Sequence, residues 1–172
     1  MRFLTSLVVC VAALCVATST SALELVVRDI DKGLANALFY GSKAQAEGYV
    51  SGYTVLLKMG QQPSYLRRRL EFSSNAVLYF AKGGTLLAWS GQSPQVQAGT
   101  WRIMRGGNFN EVCVEFAKGR GQPACASPLS GGMSWMKQST PGNPFGLKAG
   151  AAVPFKFGTA GVSLQKIAAK FP

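Results

Sequence analysis

The chain has 172 residues, with 18 lysines and arginines against 7 aspartates and glutamates, and it has no histidine. This length suits one domain with a substantial core and is short for two. Because histidine is the commonest general base and metal ligand, its absence excludes Ser-His-Asp and Cys-His catalysis. We therefore expect no metal site and no cofactor, and the composition favours a protein that is not an enzyme.

Residues 1–22 have the pattern of a secretory signal peptide. Arg2 precedes an apolar run from Leu7 to Ala17, and small residues then lead to Ala22. One positive charge, a short apolar core and a small-residue exit are the parts of a cleavable leader. The alternative, a retained anchor, would need roughly 20 apolar residues. The pattern predicts cleavage after Ala22, one domain over 23–172 without a transmembrane segment, and a periplasmic or secreted location.

Cleavage leaves two of the four cysteines, Cys113 and Cys125. In an oxidising compartment this minimal even number predicts one structural disulfide. A zinc site would need about four ligands, and redox pairs are usually Cys-x-x-Cys, so a metal or redox centre is not expected. We expect the bond to hold the basic loop 117–123 against the outer side of a sheet.

The first mature segment predicts a short helix over 34–40, capped by Asp29 or Asp31 and ended by Gly41. A second short helix is predicted within 162–171, where the apolar residues share one helical face. These residues are Leu164, Ile167, Ala168 and Phe171.

Between these helices the pattern changes to short alternating apolar runs separated by glycine-rich turns. This spacing is typical of an antiparallel meander, so the predicted fold is mainly β, a curved sheet or a small barrel. Strands are expected at 49–57, 65–72, 76–80, 85–90, 100–103, 111–116 and 133–137, with an edge strand at 153–157. Val112, Val114 and Phe116 should face inward, with Cys113 on the outer side.

Positive charge is concentrated in the later part of the chain. After removal of Arg2 with the leader, 17 basic residues face 7 acidic ones, a net charge of +10, and residues from 61 onward hold 13 against 3. Export removes nucleic acid as a partner, and the anions outside the inner membrane are lipid headgroups, lipopolysaccharide and acidic glycans. The candidate anion contacts are Arg67, Arg68, Arg69, Arg102, Arg105, Lys118 and Arg120. The alternative is a solvated edge strand that resists aggregation.

Other functions stay open at this point. Glu111 and Glu115 are the only two carboxylates close together in the sequence of the β region. On a strand their backbones are about 13 Å apart, a larger separation than the two carboxyl groups of a glycosidase usually have. A glycan-acting enzyme or inhibitor is therefore the second hypothesis. A barrel with a cavity would suit a small-ligand carrier. The tryptophans, Trp89, Trp101 and Trp135, are expected to be core residues rather than sugar platforms.

Four motifs together form a recognisable pattern. They are the run from Tyr79 to Thr85, Gly99-Thr100-Trp101-Arg102-Ile103, Val112-Cys113-Val114 with the later Cys125, and the leucine-rich segment from Leu34 to Gly41. This pattern resembles that of the DUF995 family. The chain departs from that pattern in an insertion at 53–72 and in the long tail after Cys125. The resemblance implies an exported bacterial envelope domain and supplies no catalytic residues.

Overall fold

The computed structural model describes residues 23–58, 75–91, 93–116, 123–126, 136–158 and 160–171. The predicted signal peptide at 1–22 and the predicted strand at 65–72 lie outside these residues. No helix within the described ranges is both long and apolar enough to cross a membrane.

Eight antiparallel strands form one curved sheet, which confirms the predicted fold class. Their bounds are β1 (Arg28–Asp29), β2 (Tyr53–Leu57), β3 (Ala76–Phe80), β4 (Thr85–Ser90), β5 (Gln97–Gly106), β6 (Phe109–Phe116), β7 (Ala124–Ala126) and β8 (Met136–Pro141). The spatial order is β1-β8-β2-β3-β4-β5-β6-β7, so β2 to β7 form the expected meander and β8 returns between β1 and β2. Since β1 and β7 lie at opposite edges, the sheet is open and does not form the alternative barrel.

Strands β3 to β6 agree closely with their sequence patterns, whereas the strand predicted at 49–57 begins only at Tyr53, because residues 49 and 50 end a helix. Strands β3 and β4 begin and end at the predicted residues, and β5 and β6 contain the predicted segments 100–103 and 111–116. The β5–β6 hairpin turns at Gly107-Asn108, and Gly107 has a φ of 66°, a conformation that glycine adopts without steric cost. The turn predicted at 105–108 is therefore confirmed, with β5 extending further than expected.

Two helices cover one face of the sheet. Helix α1 (Asp31–Tyr40) ends at Gly41 as predicted, but Ile30, rather than Asp29 or Asp31, occupies its N-cap position. Helix α2 (Lys43–Val50) was not predicted from the apolar pattern, because only Ala46 and Val50 of its eight residues are buried. The core on this face joins buried residues of the helices to inward residues of the strands. The helices contribute Leu34, Leu38 and Val50, and the strands contribute, among others, Leu78, Trp101 and Val112.

The opposite face of β2, β3 and β4 is covered by residues 143–158 and 160–171, which we call the C-terminal layer. Trp89 of β4 is fully buried there, and its indole Nε1 donates to the carbonyl of Phe155 at 3.1 Å. Three phenylalanines of the layer, Phe145, Phe155 and Phe157, make edge contacts with the Trp89 ring. Coverage on both faces explains why β2 and β3 are apolar along almost their whole length, as in strands buried on two sides.

Two predictions in the C-terminal part need correction. Residues 153–157 do not form an edge strand; they lie across the sheet as extended chain, and the neighbouring Ala152 makes an isolated bridge with Gln95. Their alternating apolar residues pack down on the sheet, which gives the same sequence pattern as a strand. Of the strand predicted at 133–137, residues 136 and 137 belong to β8, which continues to Pro141, and residues 133–135 lie outside the described residues. Helix α3 (Leu164–Ala168) lies within the predicted range and buries Leu164, Ile167 and Ala168, as expected.

Candidate functional site

The structure does not bring the described arginine candidates together. Arg102 and Arg105 are three residues apart on β5, so they project from opposite faces of the strand. The Arg102 guanidinium lies 3.9 Å from the carboxylate of Glu115, and Arg105 donates from Nε to the carbonyl of Gly107 at 3.2 Å. Each is exposed. The other five candidates, Arg67, Arg68, Arg69, Lys118 and Arg120, lie outside the described residues.

The predicted disulfide between Cys113 and Cys125 is present. The two cysteines are directly opposite in the β6–β7 pair, with Cα atoms 4.0 Å apart, so the bond joins neighbouring strands. Cys125 lies in β7, an edge strand that the sequence analysis missed, and the hold of the bond on loop 117–123 stays a prediction. The loop residues 117–122 lie outside the described residues.

The outer face of β6 offers little for catalysis or metal binding. Val112, Val114 and Phe116 face the core as predicted, which leaves Glu111, Cys113 and Glu115 on the other side. A carboxylate oxygen of Glu111 and the sulfurs of the two cysteines lie within 4.8 Å of one another. Both sulfurs are bonded to each other in the disulfide, and a cysteine binds a metal ion only as a thiolate. Neither glutamate lines the clefts described below.

A groove in the C-terminal layer combines cationic and apolar side chains. It lies between the extended segment 155–158 and helix α3 with its preceding turn, and it has a volume of about 360 Å³. We call it the cationic groove; its lining residues are Phe155, Lys156, Phe157, Gly158, Val162, Lys166, Ile167, Ala169 and Lys170. The three lysines are exposed, whereas Phe155, Phe157 and Val162 are half-buried and Ile167 is buried. The groove thus has an apolar floor and a rim of ammonium groups.

Specific contacts hold both walls of the cationic groove against the sheet. On one side, the Trp89 indole binds the Phe155 carbonyl and its ring contacts Phe157. On the other side, the Ser163 hydroxyl caps α3 by accepting from the Lys166 backbone N–H at 3.2 Å. The side-chain oxygen of Gln138 in β8 accepts from the Leu164 N–H at 2.9 Å, which attaches the start of α3 to the sheet.

The lysines of this groove belong to a part of the sequence that has no acidic side chain. The chain has no aspartate or glutamate after Glu115, while Lys118, Arg120 and five further lysines follow it. Within the described ranges, none of Lys156, Lys166 and Lys170 forms an ion pair. Their charges are therefore available to an external anion. Sequence reasoning noted the positive balance but selected the arginine run; the absence of carboxylates after residue 115 was the signal that could have identified this part of the chain.

A second cleft, of about 540 Å³, lies between α1 and α2. Its floor contains three glycines, Gly33, Gly41 and Gly48, and its walls carry the amides of Asn36 and Gln45 with the rings of Tyr40 and Tyr49. None of the described residues that line it is charged. Of the tryptophans, Trp89 and Trp101 are core residues as predicted, and Trp135 lies outside the described residues.

Comparison of the chain with protein-family models, with curated proteins and with solved structures finds no match. The resemblance to the DUF995 family therefore stays a prediction, and the case for function depends on the geometry of the chain itself.

Proposed function

We propose that this protein is an exported, non-enzymatic binding module that contacts anionic components of the cell envelope through the cationic groove. The observation that carries the proposal is the set of three exposed lysines, Lys156, Lys166 and Lys170, that line one groove and form no ion pair within the described residues. The contact surface thus differs from the arginine set selected from the sequence, which stays an untested candidate.

The physical basis is charge complementarity between the groove lysines and an anionic surface. Ammonium groups bind phosphate and carboxylate oxygens by charge-assisted hydrogen bonds, which are about twice as strong as neutral ones. Near an anionic lipid surface each lysine contributes about 1 kcal/mol of attraction, and this attraction falls off within a Debye length. Three lysines on one groove therefore provide measurable binding at low salt that weakens as salt is added.

Two alternatives receive less support. A glycan-acting enzyme based on Glu111 and Glu115 would need a cleft between these carboxylates, and they lie on a strand face beside the disulfide and Arg102. A small-ligand carrier was conditional on a closed barrel, and the sheet is open.

The test is a vesicle-binding assay with two matched triple variants of the chain from residue 23. In K156Q/K166Q/K170Q the groove loses its cations; in K32Q/K43Q/K82Q three exposed lysines on α1, α2 and the β3–β4 turn are replaced, so the net charge falls equally. We expect binding to phosphatidylglycerol vesicles to weaken on the order of a hundredfold in the first variant and much less in the second.

Pure phosphatidylcholine vesicles serve as the neutral control, and binding should fall steeply between 50 and 300 mM salt. Equal losses in both variants would mean that net charge alone acts. Absence of binding to anionic vesicles at low salt would refute the proposed function.

A further inference from the structure

The cationic groove has a feature that a flat electrostatic contact does not require, namely its apolar floor. We propose that the groove holds the alkyl chain of a single-chain lipid phosphate, with the phosphate bound by Lys156, Lys166 and Lys170. This inference rests on the proposed function, because it assigns the ligand class of the same site, but it can fail separately.

The floor is suited to an alkyl chain because its apolar side chains still contact water. Phe155, Phe157 and Val162 are only half-buried although they pack on the core of the C-terminal layer. Covering such surface with an alkyl chain removes apolar area from water on both partners. The volume of about 360 Å³ is near the lower end of the range of about 300–1,000 Å³ for ligand pockets, which fits one chain better than two.

The rim is suited to phosphate because three lysines line one small groove. A phosphate monoester carries a charge of about −1.5 to −2 and has three strong acceptor oxygens, so it can engage all three lysines at once. A carboxylate has one charge and two oxygens. Within the described ranges no protein carboxylate is paired with these lysines, so none competes with the ligand.

The test is calorimetric titration of the chain from residue 23 with alkyl phosphates below their critical micelle concentrations. Affinity should rise about fourfold for each added methylene from butyl phosphate to octyl phosphate, and then level off when the groove is full. Dodecyl phosphate should bind more tightly than three comparison compounds. Inorganic phosphate lacks the alkyl chain, laurate lacks the second negative charge, and dodecyl maltoside has no charge.

A matched pair of variants localises the chain. Ala169 is exposed, lines the groove and has ordinary helical dihedrals, so Ala169→Phe fills the groove and leaves all three lysines in place. It should weaken dodecyl phosphate binding by tenfold or more, while Ala149→Phe, on an exposed turn outside the groove, should not change it. The chain-length series on the unmodified protein decides the question even if Ala169→Phe fails to fold.

The outcomes separate the two proposals. Binding to anionic vesicles with no chain-length dependence would overturn the alkyl-chain inference and leave the proposed function standing. Laurate binding as tightly as dodecyl phosphate would overturn the assignment of phosphate. Failure of vesicles and alkyl phosphates alike would overturn both.

Discussion

At the residue scale, the same side-chain type serves different purposes, and only its contacts distinguish them. Arg28 donates from Nε to the Ser139 hydroxyl and from its terminal nitrogen to the Tyr49 carbonyl, and its guanidinium lies 4.0 Å above the ring of Tyr53. These contacts connect β1 to β8 and to α2, so Arg28 is a structural residue. The groove lysines have no ion-pair partner within the described ranges and are available to a ligand.

Gly91 is a residue whose small size the packing requires. A Cβ atom at this position would overlap the carbonyl oxygen of Phe157 and lie 3.1 Å from its ring. We predict that Gly91→Ala pushes segment 155–158 away from the sheet and lowers the free energy of unfolding by about 1–3 kcal/mol. Urea titration measures this change, and faster amide exchange in 155–158 would show where it occurs.

Gly158→Ala is the matched control, because a Cβ at that position meets nothing within 4 Å. Equal stability of the two variants would contradict the close packing of the C-terminal layer against the end of β4.

At the element scale, a helix or strand agrees with its prediction when residues within or next to that element determine where it begins and ends. Strands β3 and β4 were predicted to the residue because dense β-forming residues are bounded by turn residues on each side. Helix α2 was missed because its apolar face is weak, although Ser42 and Gln45 form a capping box that marks its start. Strand β7 has three residues, too few to show alternation.

The disulfide should matter most for β7, which among the described strands pairs only with β6, at an edge of the sheet. We predict that the double substitution Cys113→Ala and Cys125→Ala lowers the free energy of unfolding by about 3 kcal/mol, the loop-closure entropy of a ring of this size. Amides of β7 should lose exchange protection first, whereas β2, β3 and β4 should keep theirs.

Hydrogen exchange with and without reductant gives the same comparison in the unsubstituted protein. Uniform loss of protection across the sheet would show that β7 is not a separate stability unit and would refute this prediction.

At the scale of the whole molecule, the excess of positive charge has two effects. Repulsion between the lysines opposes folding, and the same charges favour binding to an anionic surface. The C-terminal layer brings exposed lysines together without carboxylates, and like charges held together destabilise a compact state. We predict that raising salt from 20 to 200 mM increases the melting temperature while it weakens binding to anionic vesicles. Calorimetry and the vesicle assay measure the two effects.

The variant K156Q/K166Q/K170Q should show a smaller salt dependence of its melting temperature than the K32Q/K43Q/K82Q control. Identical salt dependence would mean that the groove lysines do not repel one another measurably.

The sequence by itself determined the local properties of this protein: the antiparallel meander, most strand and turn positions, the pairing of Cys113 with Cys125 and the excess of positive charge. These follow from side-chain periodicity, turn chemistry and composition, which act between near neighbours. The tertiary structure decided that β8 pairs with β2, that the C-terminal layer covers the second face, and that Lys156, Lys166 and Lys170 share one groove. Contacts between segments so far apart in the chain depend on which surfaces fit and exclude water together, and a local pattern does not encode that fit.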